Sequence, residues 1–147
     1  MQNISVIDAI RSLKVLNQSV TVNNVLIGHN AKHNNQLGMW IHVDFTISRC
    51  VGHTCSINLY FNFKNGVSLK DRNGKYRTES GEVATSSEAF VPPYTSSTYG
   101  DFPIFFPYEE LHLARGTHQL TFDVKIYDHD LSKFVGGSSG YQIQVKS

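Results

Sequence analysis

Residues 41–47, Ile-His-Val-Asp-Phe-Thr-Ile, alternate strictly between apolar and polar side chains. Successive side chains of a β-strand point to opposite faces of its sheet, so this pattern predicts a strand with one buried and one solvated face. The same period recurs at residues 57–63, 120–126 and 141–145. These four stretches predict half-buried antiparallel strands.

Shorter apolar stretches extend this pattern. They predict further strands at residues 20–27, 76–78, 82–90 and 102–106. Asn65-Gly66, Asn73-Gly74 and Ser80-Gly81 supply turns, because Gly and Asn tolerate the positive φ that tight hairpins require. About eight short strands with one apolar face each predict an all-β fold, a two-sheet antiparallel β-sandwich.

Three segments depart from the alternating period. Residues 5–17 open with the spacing of a capping box and predict a short amino-terminal helix. Residues 107–113 begin with Pro and predict one helical turn between two strands. The Pro- and Tyr-rich residues 90–107 predict a long crossing segment packed on the sandwich. We therefore expect a helix or linker over residues 1–18 and a sandwich domain over residues 19–147.

Size and charge limit the classes of function. The 147 residues fit one domain, and 13 basic against 12 acidic side chains leave a net charge of only +1. This balance provides no strong field for nucleic acid or an anionic membrane. The basic residues within 70–77 are interrupted by acidic ones and predict a solvated hairpin rather than a nucleic-acid groove. The absence of a signal-peptide pattern or membrane-spanning run in this chain favours a cytoplasmic location.

The two cysteines bracket a short loop between predicted strands. Cys50 and Cys55 are separated by Val-Gly-His-Thr, a spacing that predicts that they face each other across a hairpin. A disulfide and a pair of free thiols both fit this arrangement. His53 and His42 lie nearby, but a C-x4-C without a second ligand pair is weak support for zinc.

Residues 126–137, IYDHDLSKFVGG, place two aspartates at the end of a predicted strand. This stretch resembles a loop of the calcium- and phospholipid-binding sandwich domains of the synaptotagmin and protein kinase C type. The resemblance implies calcium-assisted attachment to phospholipid. The candidate calcium ligands are Asp128, Asp130, Asp101 and Asp71. However, Gly136 stands where that family has a third aspartate, and residues 28–38, the expected second ligand loop, contain no acid, whereas calcium takes six to eight oxygens.

A broader resemblance covers three stretches, GMWIHVDF (38–45), YFNFKNGVSLKDRNGKYRTESGEV (60–83) and VPPYTSSTYGDFPIFFPYEELHL (91–113). Together they look like a poorly characterised bacterial sandwich module that is attached to larger multidomain proteins. The resemblance spans residues 20–146. It implies an accessory or binding role and carries no catalytic signature.

Catalytic motifs give no support for an enzyme. GGSSG at residues 136–140 is not predicted to lie on a strand-to-helix turn, which is where the serine of a nucleophile elbow lies. The sequence contains neither a phosphate-binding Gly-x4-Gly-Lys loop nor a His-Glu-x2-His helix. The seven histidines are interpreted as ordinary surface side chains. We therefore expect a protein that is not an enzyme and needs no cofactor, with calcium only under the alternative above.

The aromatic segment provides the candidate partner-binding residues. They are Tyr94, Tyr99, Phe102 and Tyr108. Large rigid side chains contribute much of the energy of many interfaces, although these rings could instead seal the open end of the sandwich. The main prediction is a non-catalytic interaction module that binds a protein partner or other domains of the same polypeptide in a larger bacterial assembly. Carbohydrate binding through Tyr94, Tyr99, Tyr108 or Trp40 is a further alternative, and membrane binding belongs only to the calcium alternative.

Overall fold

The computed structural model describes residues 18–71, 74–76, 78 and 81–147. Within these residues the chain forms seven strands and one 3-10 turn. The strands are β1 (Ser19–His33), β2 (Gln36–Ser48), β3 (Cys55–Phe63), β4 (Ala84–Ser86), β5 (Ser96–Pro107), β6 (Thr117–Asp128) and β7 (Lys133–Lys146). The 3-10 turn (Tyr108–Leu111) joins β5 to β6. The helix predicted at residues 5–17 lies outside the described residues.

The strands form two antiparallel sheets, which confirms the predicted all-β, two-sheet class. One sheet has the order β1-β2-β5 and the other has the order β4-β3-β6-β7. The four regular alternating stretches lie on β2, β3, β6 and β7. Their apolar positions face inward, as in β2, where every odd-numbered residue from 39 to 47 is fully buried. The rings of Phe61 on β3 and Phe106 on β5 lie 4.5 Å apart, which joins the two sheets in one core.

Two predictions for the middle of the chain need correction. The described residues contain seven strands rather than about eight, because only Ala84–Ser86 of residues 82–90 forms a strand and residues 76 and 78 lie in none. Outside the short pairing of β4 with β3, the described residues on either side of β4 form isolated bridges, Lys70 with Glu82 and Cys55 with Phe90, rather than a longer strand.

The crossing segment predicted at residues 90–107 is mostly strand β5, which the sequence predicted only at residues 102–106. Pro103 obscures this strand because proline cannot donate a ladder hydrogen bond, but β5 is a sheet edge, where proline is tolerated. A register shift between Val43 and Phe45 also breaks its alternation. As a result, Tyr99 and Phe102, three residues apart, both pack against Phe45. The helical turn predicted at residues 107–113 is confirmed as the 3-10 turn.

Candidate functional site

Three loops meet at one end of the two sheets: residues 49–54, 90–95 and 128–132. We call this end the tip. Arg49 N–H donates to the Thr95 carbonyl at 2.6 Å, and Gly52 N–H donates to the Pro92 carbonyl at 3.0 Å. The third loop joins them through His129 N–H, which donates to the Thr54 carbonyl at 2.8 Å. These backbone bonds fix the three loops as one unit.

The outer surface of the tip carries large apolar side chains. Val51 is 48% exposed, Val91 is 53% exposed and Tyr94 is 70% exposed. The backbone at Tyr94 is held by Ser97, whose hydroxyl accepts from Tyr94 N–H and donates to the Tyr94 carbonyl, both at 3.1 Å. The exposed tyrosine therefore projects from a fixed backbone.

The interior of the tip is organised by Asp128, whose side chain is fully buried. One carboxylate oxygen, Oδ1, accepts from the backbone N–H of Asp130 at 2.9 Å and of Leu131 at 3.1 Å. The other, Oδ2, accepts from His53 Nδ1 at 2.6 Å and from Gln18 Nε2 at 3.1 Å. Asp128 thus closes its own loop and ties that loop to Gln18, directly before β1, and to residues 49–54.

Cys50 and Cys55 lie beside this carboxylate. Both are buried free thiols. Their sulfurs lie close together, but the predicted hairpin is wrong, because β2 and β3 belong to different sheets and residues 49–54 cross between them. The two Sγ atoms and an Asp128 carboxylate oxygen all lie within 4.8 Å of one another. A hydrogen bond with Cys55 lowers the pKa of Cys50, against burial and the Asp128 charge, whereas a hydrogen bond with Cys50 and burial raise the pKa of Cys55. Cys50 is therefore the sulfur that ionises first.

His53 and Asp128 shift each other's ionisation. The hydrogen bond with Asp128 raises the pKa of His53 above its ordinary value of 6.5, against the effect of burial. For Asp128, burial alone would raise the pKa, but hydrogen bonds from His53, Leu131 N–H and Gln18 outweigh it, so the pKa falls below 3.8. Both shifts favour the charged pair in the folded protein.

The pair predicts a pH-dependent contribution to stability. The contribution of His53 to the free energy of unfolding is fully present below pH 6.5 and is lost as the pH rises through the higher pKa of the folded state. The contribution of Asp128 is present above pH 3.8 and is lost as the pH falls through the lower pKa of the folded state. Urea unfolding of the wild type and of His53→Gln, with a chelator present, should therefore differ most between these two pH values. The difference should shrink toward about pH 8. A difference that stays constant from about pH 5 to pH 8 would contradict this assignment.

The other carboxylates proposed from the calcium resemblance lie elsewhere. Asp101 on β5 pairs with His42 Nδ1 at 2.6 Å, and Asp71 pairs with His112 Nε2 at 3.0 Å. Asp130 is exposed next to Asp128. The structure does not gather the four carboxylates into one group: Asp128, Asp101 and Asp71 each pair with a different histidine in a different part of the fold.

The predicted aromatic candidates also separate. Tyr94 is exposed at the tip, but Tyr99 stacks on the buried Phe45 with ring centroids 5.0 Å apart, and Phe102 packs against the same ring. Tyr108 is half-buried, with its hydroxyl 2.7 Å from His29 Nδ1. Of the four, Tyr94 is the one that lies on the tip surface, while Tyr99 and Phe102 pack with the core.

Trp40, the carbohydrate candidate, lies on the outer face of the three-stranded sheet. It is half-buried and contacts the rings of His33 and Phe105 at 5.0 and 5.2 Å. These three rings line part of a groove of about 630 Å³ that continues to Tyr76 and Glu88. The groove is separate from the residues of the tip.

A second group of ionisable side chains was not anticipated from the sequence. His112 Nε2 lies 3.0 Å from Asp71 and 3.5 Å from Glu110, and both carboxyl side chains are almost fully buried. His112 has a left-handed backbone conformation, with φ of 54°, at the end of the 3-10 turn. His112 caps the carboxyl end of the turn in this conformation, and the turn places Glu110 and His112 beside Asp71.

No family model, curated protein or solved structure matches this chain. The part of the chain that the structure describes contains no helix of the length and apolar character needed to cross a membrane. The function is therefore inferred from the geometry of the tip.

Proposed function

We propose that the protein is a non-catalytic interaction module that binds a protein partner through its tip. The observation that carries this proposal is the exposure of Val51, Val91 and Tyr94 on two loops joined by backbone hydrogen bonds. Apolar side chains around a tyrosine with a polar tip provide the contact area and the hydrogen-bonding group that protein interfaces favour.

The rigidity of the tip supports a binding role. The bonds of Arg49 and Gly52 to the opposite loop, and of Ser97 to Tyr94, hold the exposed side chains in place before a partner arrives. A surface that is already ordered loses less conformational entropy on binding, so more of the contact energy contributes to affinity. The partner would therefore meet a preformed surface.

The buried acid of the tip and the one serine that could suggest a nucleophile both support a structural rather than a catalytic role. Asp128, the buried acid, accepts four hydrogen bonds from within the protein. Ser138, the central serine of GGSSG, lies inside strand β7 and not on a strand-to-helix turn. The resemblance over residues 20–146 to an accessory module of larger bacterial proteins favours the same role and suggests that the partner belongs to such an assembly.

Site-specific photo-crosslinking tests the proposed surface. Tyr94 is replaced by a photoreactive phenylalanine analogue in the source cells, and Val67, which is 57% exposed and lies outside the tip, is replaced in the same way as the matched control. The probe at position 94 should give one discrete crosslinked protein, and the probe at position 67 should not. Adding Val91→Asp should reduce the yield at position 94 at least tenfold, as expected when a buried interface contact of about 1.4 kcal/mol or more is lost.

The companion variants separate binding from folding. Val91→Asp and Val67→Asp change exposed side chains and should each leave the free energy of unfolding within about 0.5 kcal/mol of the wild type. Equal crosslinking at both positions, or a yield at position 94 that Val91→Asp leaves unchanged, would contradict the proposed surface.

A further inference from the structure

We propose that Cys50, Cys55 and Asp128 bind a zinc ion inside the tip, with His53 as the fourth ligand. The two sulfurs and one carboxylate oxygen lie within 4.8 Å of one another, and all three residues are buried. Zinc–sulfur bonds of about 2.3 Å in a tetrahedron place ligand atoms about 3.8 Å apart. The three atoms therefore need only small side-chain movements to reach one ion.

Gln18 shows that two of the prospective ligand atoms already share one hydrogen-bond donor. Its amide nitrogen lies 3.1 Å from Cys50 Sγ and 3.1 Å from Asp128 Oδ2, so a polar N–H group already occupies the space between two prospective ligand atoms. Its amide oxygen is buried and has no hydrogen-bond partner among the described residues. Gln18 directly precedes β1 and is half-buried, so its side chain can withdraw when a cation replaces the amide.

His53 can supply a fourth donor once its ring turns from Asp128 toward the sulfurs, since it is not part of the group of three whose ligand atoms all lie within 4.8 Å of one another. It lies between the cysteines in the sequence Cys50-Val-Gly-His53-Thr-Cys55, and its Nδ1 is 2.6 Å from the carboxylate oxygen of Asp128. Two thiolates, one imidazole and one carboxylate match the ligand types of Zn²⁺. Calcium and magnesium prefer oxygen ligands, so this set disfavours both.

The ion would connect parts of the tip that are distant in sequence. Cys50 and His53 belong to residues 49–54, Cys55 begins β3 and Asp128 ends β6. Each thiol, and the protonated His53 imidazole, releases one proton to solvent as it binds the ion, so the hydrogen bond between His53 and Asp128 is replaced by bonds from both to the metal and binding is tighter at higher pH. The site stands independently of the protein partner proposed above, although it would hold Val51 and its loop in place.

Metal titration of the reduced, chelator-treated protein tests this site. One equivalent of Zn²⁺ should bind and raise the urea concentration at the midpoint of unfolding, since the ion binds the folded arrangement, which includes Asp128, more tightly than the unfolded chain. Co²⁺ should give the intense visible bands of a tetrahedral site together with thiolate-to-metal charge transfer. Cys50→Ser changes only sulfur to oxygen, and it should abolish the charge-transfer band or weaken it severalfold and reduce Zn²⁺ affinity at least tenfold.

Two further variants place the metal. His112→Ala, in the separate group with Asp71 and Glu110, should bind Zn²⁺ as the wild type does. Asp128→Asn keeps the size of the side chain but should lose at least tenfold in affinity. Absence of binding, equal binding by Cys50→Ser, or loss of binding in His112→Ala alone would overturn the proposal. So would a mass lower by two hydrogens after exposure to air with Zn²⁺ present, because the cysteines would then have formed a disulfide in preference to the metal site.

Discussion

Replacing Asp128 with Ala is expected to lower the free energy of unfolding by about 3 kcal/mol in metal-free protein. The change removes both acceptor oxygens, so the N–H groups of Asp130 and Leu131 and the side chains of His53 and Gln18 lose their shared partner. Since buried donors without acceptors lose their hydration without recovering it, the cost exceeds that of an ordinary surface change. Urea denaturation with a chelator present measures it.

Asp130 provides the matched control in the same loop. Its side chain is exposed, so Asp130→Ala should stay within about 0.5 kcal/mol of the wild type. If the two aspartates served only as calcium ligands, both substitutions would change the free energy of unfolding of the metal-free protein by similar small amounts. Similar losses from the two substitutions would show that Asp128 does not organise the tip.

Gly137→Ala is expected to destabilise the protein by about 3 kcal/mol. A Cβ at this position would lie 2.0 Å from the carbonyl oxygen of Val124 and 2.9 Å from the Cα of Lys125, both on the paired strand β6. Both obstacles are backbone atoms, so the strands must move apart and weaken their hydrogen bonds. The effect should appear as a lower urea midpoint with little change in slope.

Gly100 is the matched control on β5. A Cβ there meets no atom within 4 Å, and the residue does not have the positive φ that disfavours alanine. Gly100→Ala should therefore be neutral or stabilising by up to about 1 kcal/mol, because alanine loses less conformational entropy than glycine on folding. Equal destabilisation by the two substitutions would mean that β6 and β7 do not approach as closely as described.

The sequence was sufficient to predict most of the core, because side-chain alternation records which face of a strand is buried. In β2, Ile41 and Phe45 are fully buried, while His42 and Asp44 are partly exposed. Strand β5 was only partly predicted, since Pro103 and the register shift near Phe45 disrupt the period. Strand β5 pairs with β2, whose residues are far away in the sequence, and a local pattern of apolar and polar residues does not show which distant strand will be the partner.

The tip illustrates the same limit for a functional site. The Asp-x-Asp spacing at residues 128–130 raised calcium binding as an alternative, because local sequence shows which candidate ligands are adjacent and not which distant residues approach them. Asp128 meets His53 from 75 residues away and Gln18 from 110 residues away. The one available signal was the presence of histidine between two cysteines, and its meaning depends on the strand that ends at Asp128.

The most direct test of the binding surface is amide chemical-shift mapping of the ¹⁵N-labelled protein with the partner that crosslinks at position 94. Perturbations are predicted to be confined to residues 49–54, 90–95 and 128–132, and Val91→Asp should greatly reduce them. Shifts concentrated around Trp40 and Phe105 on the outer face of the three-stranded sheet, with the tip unchanged, would contradict the proposed function.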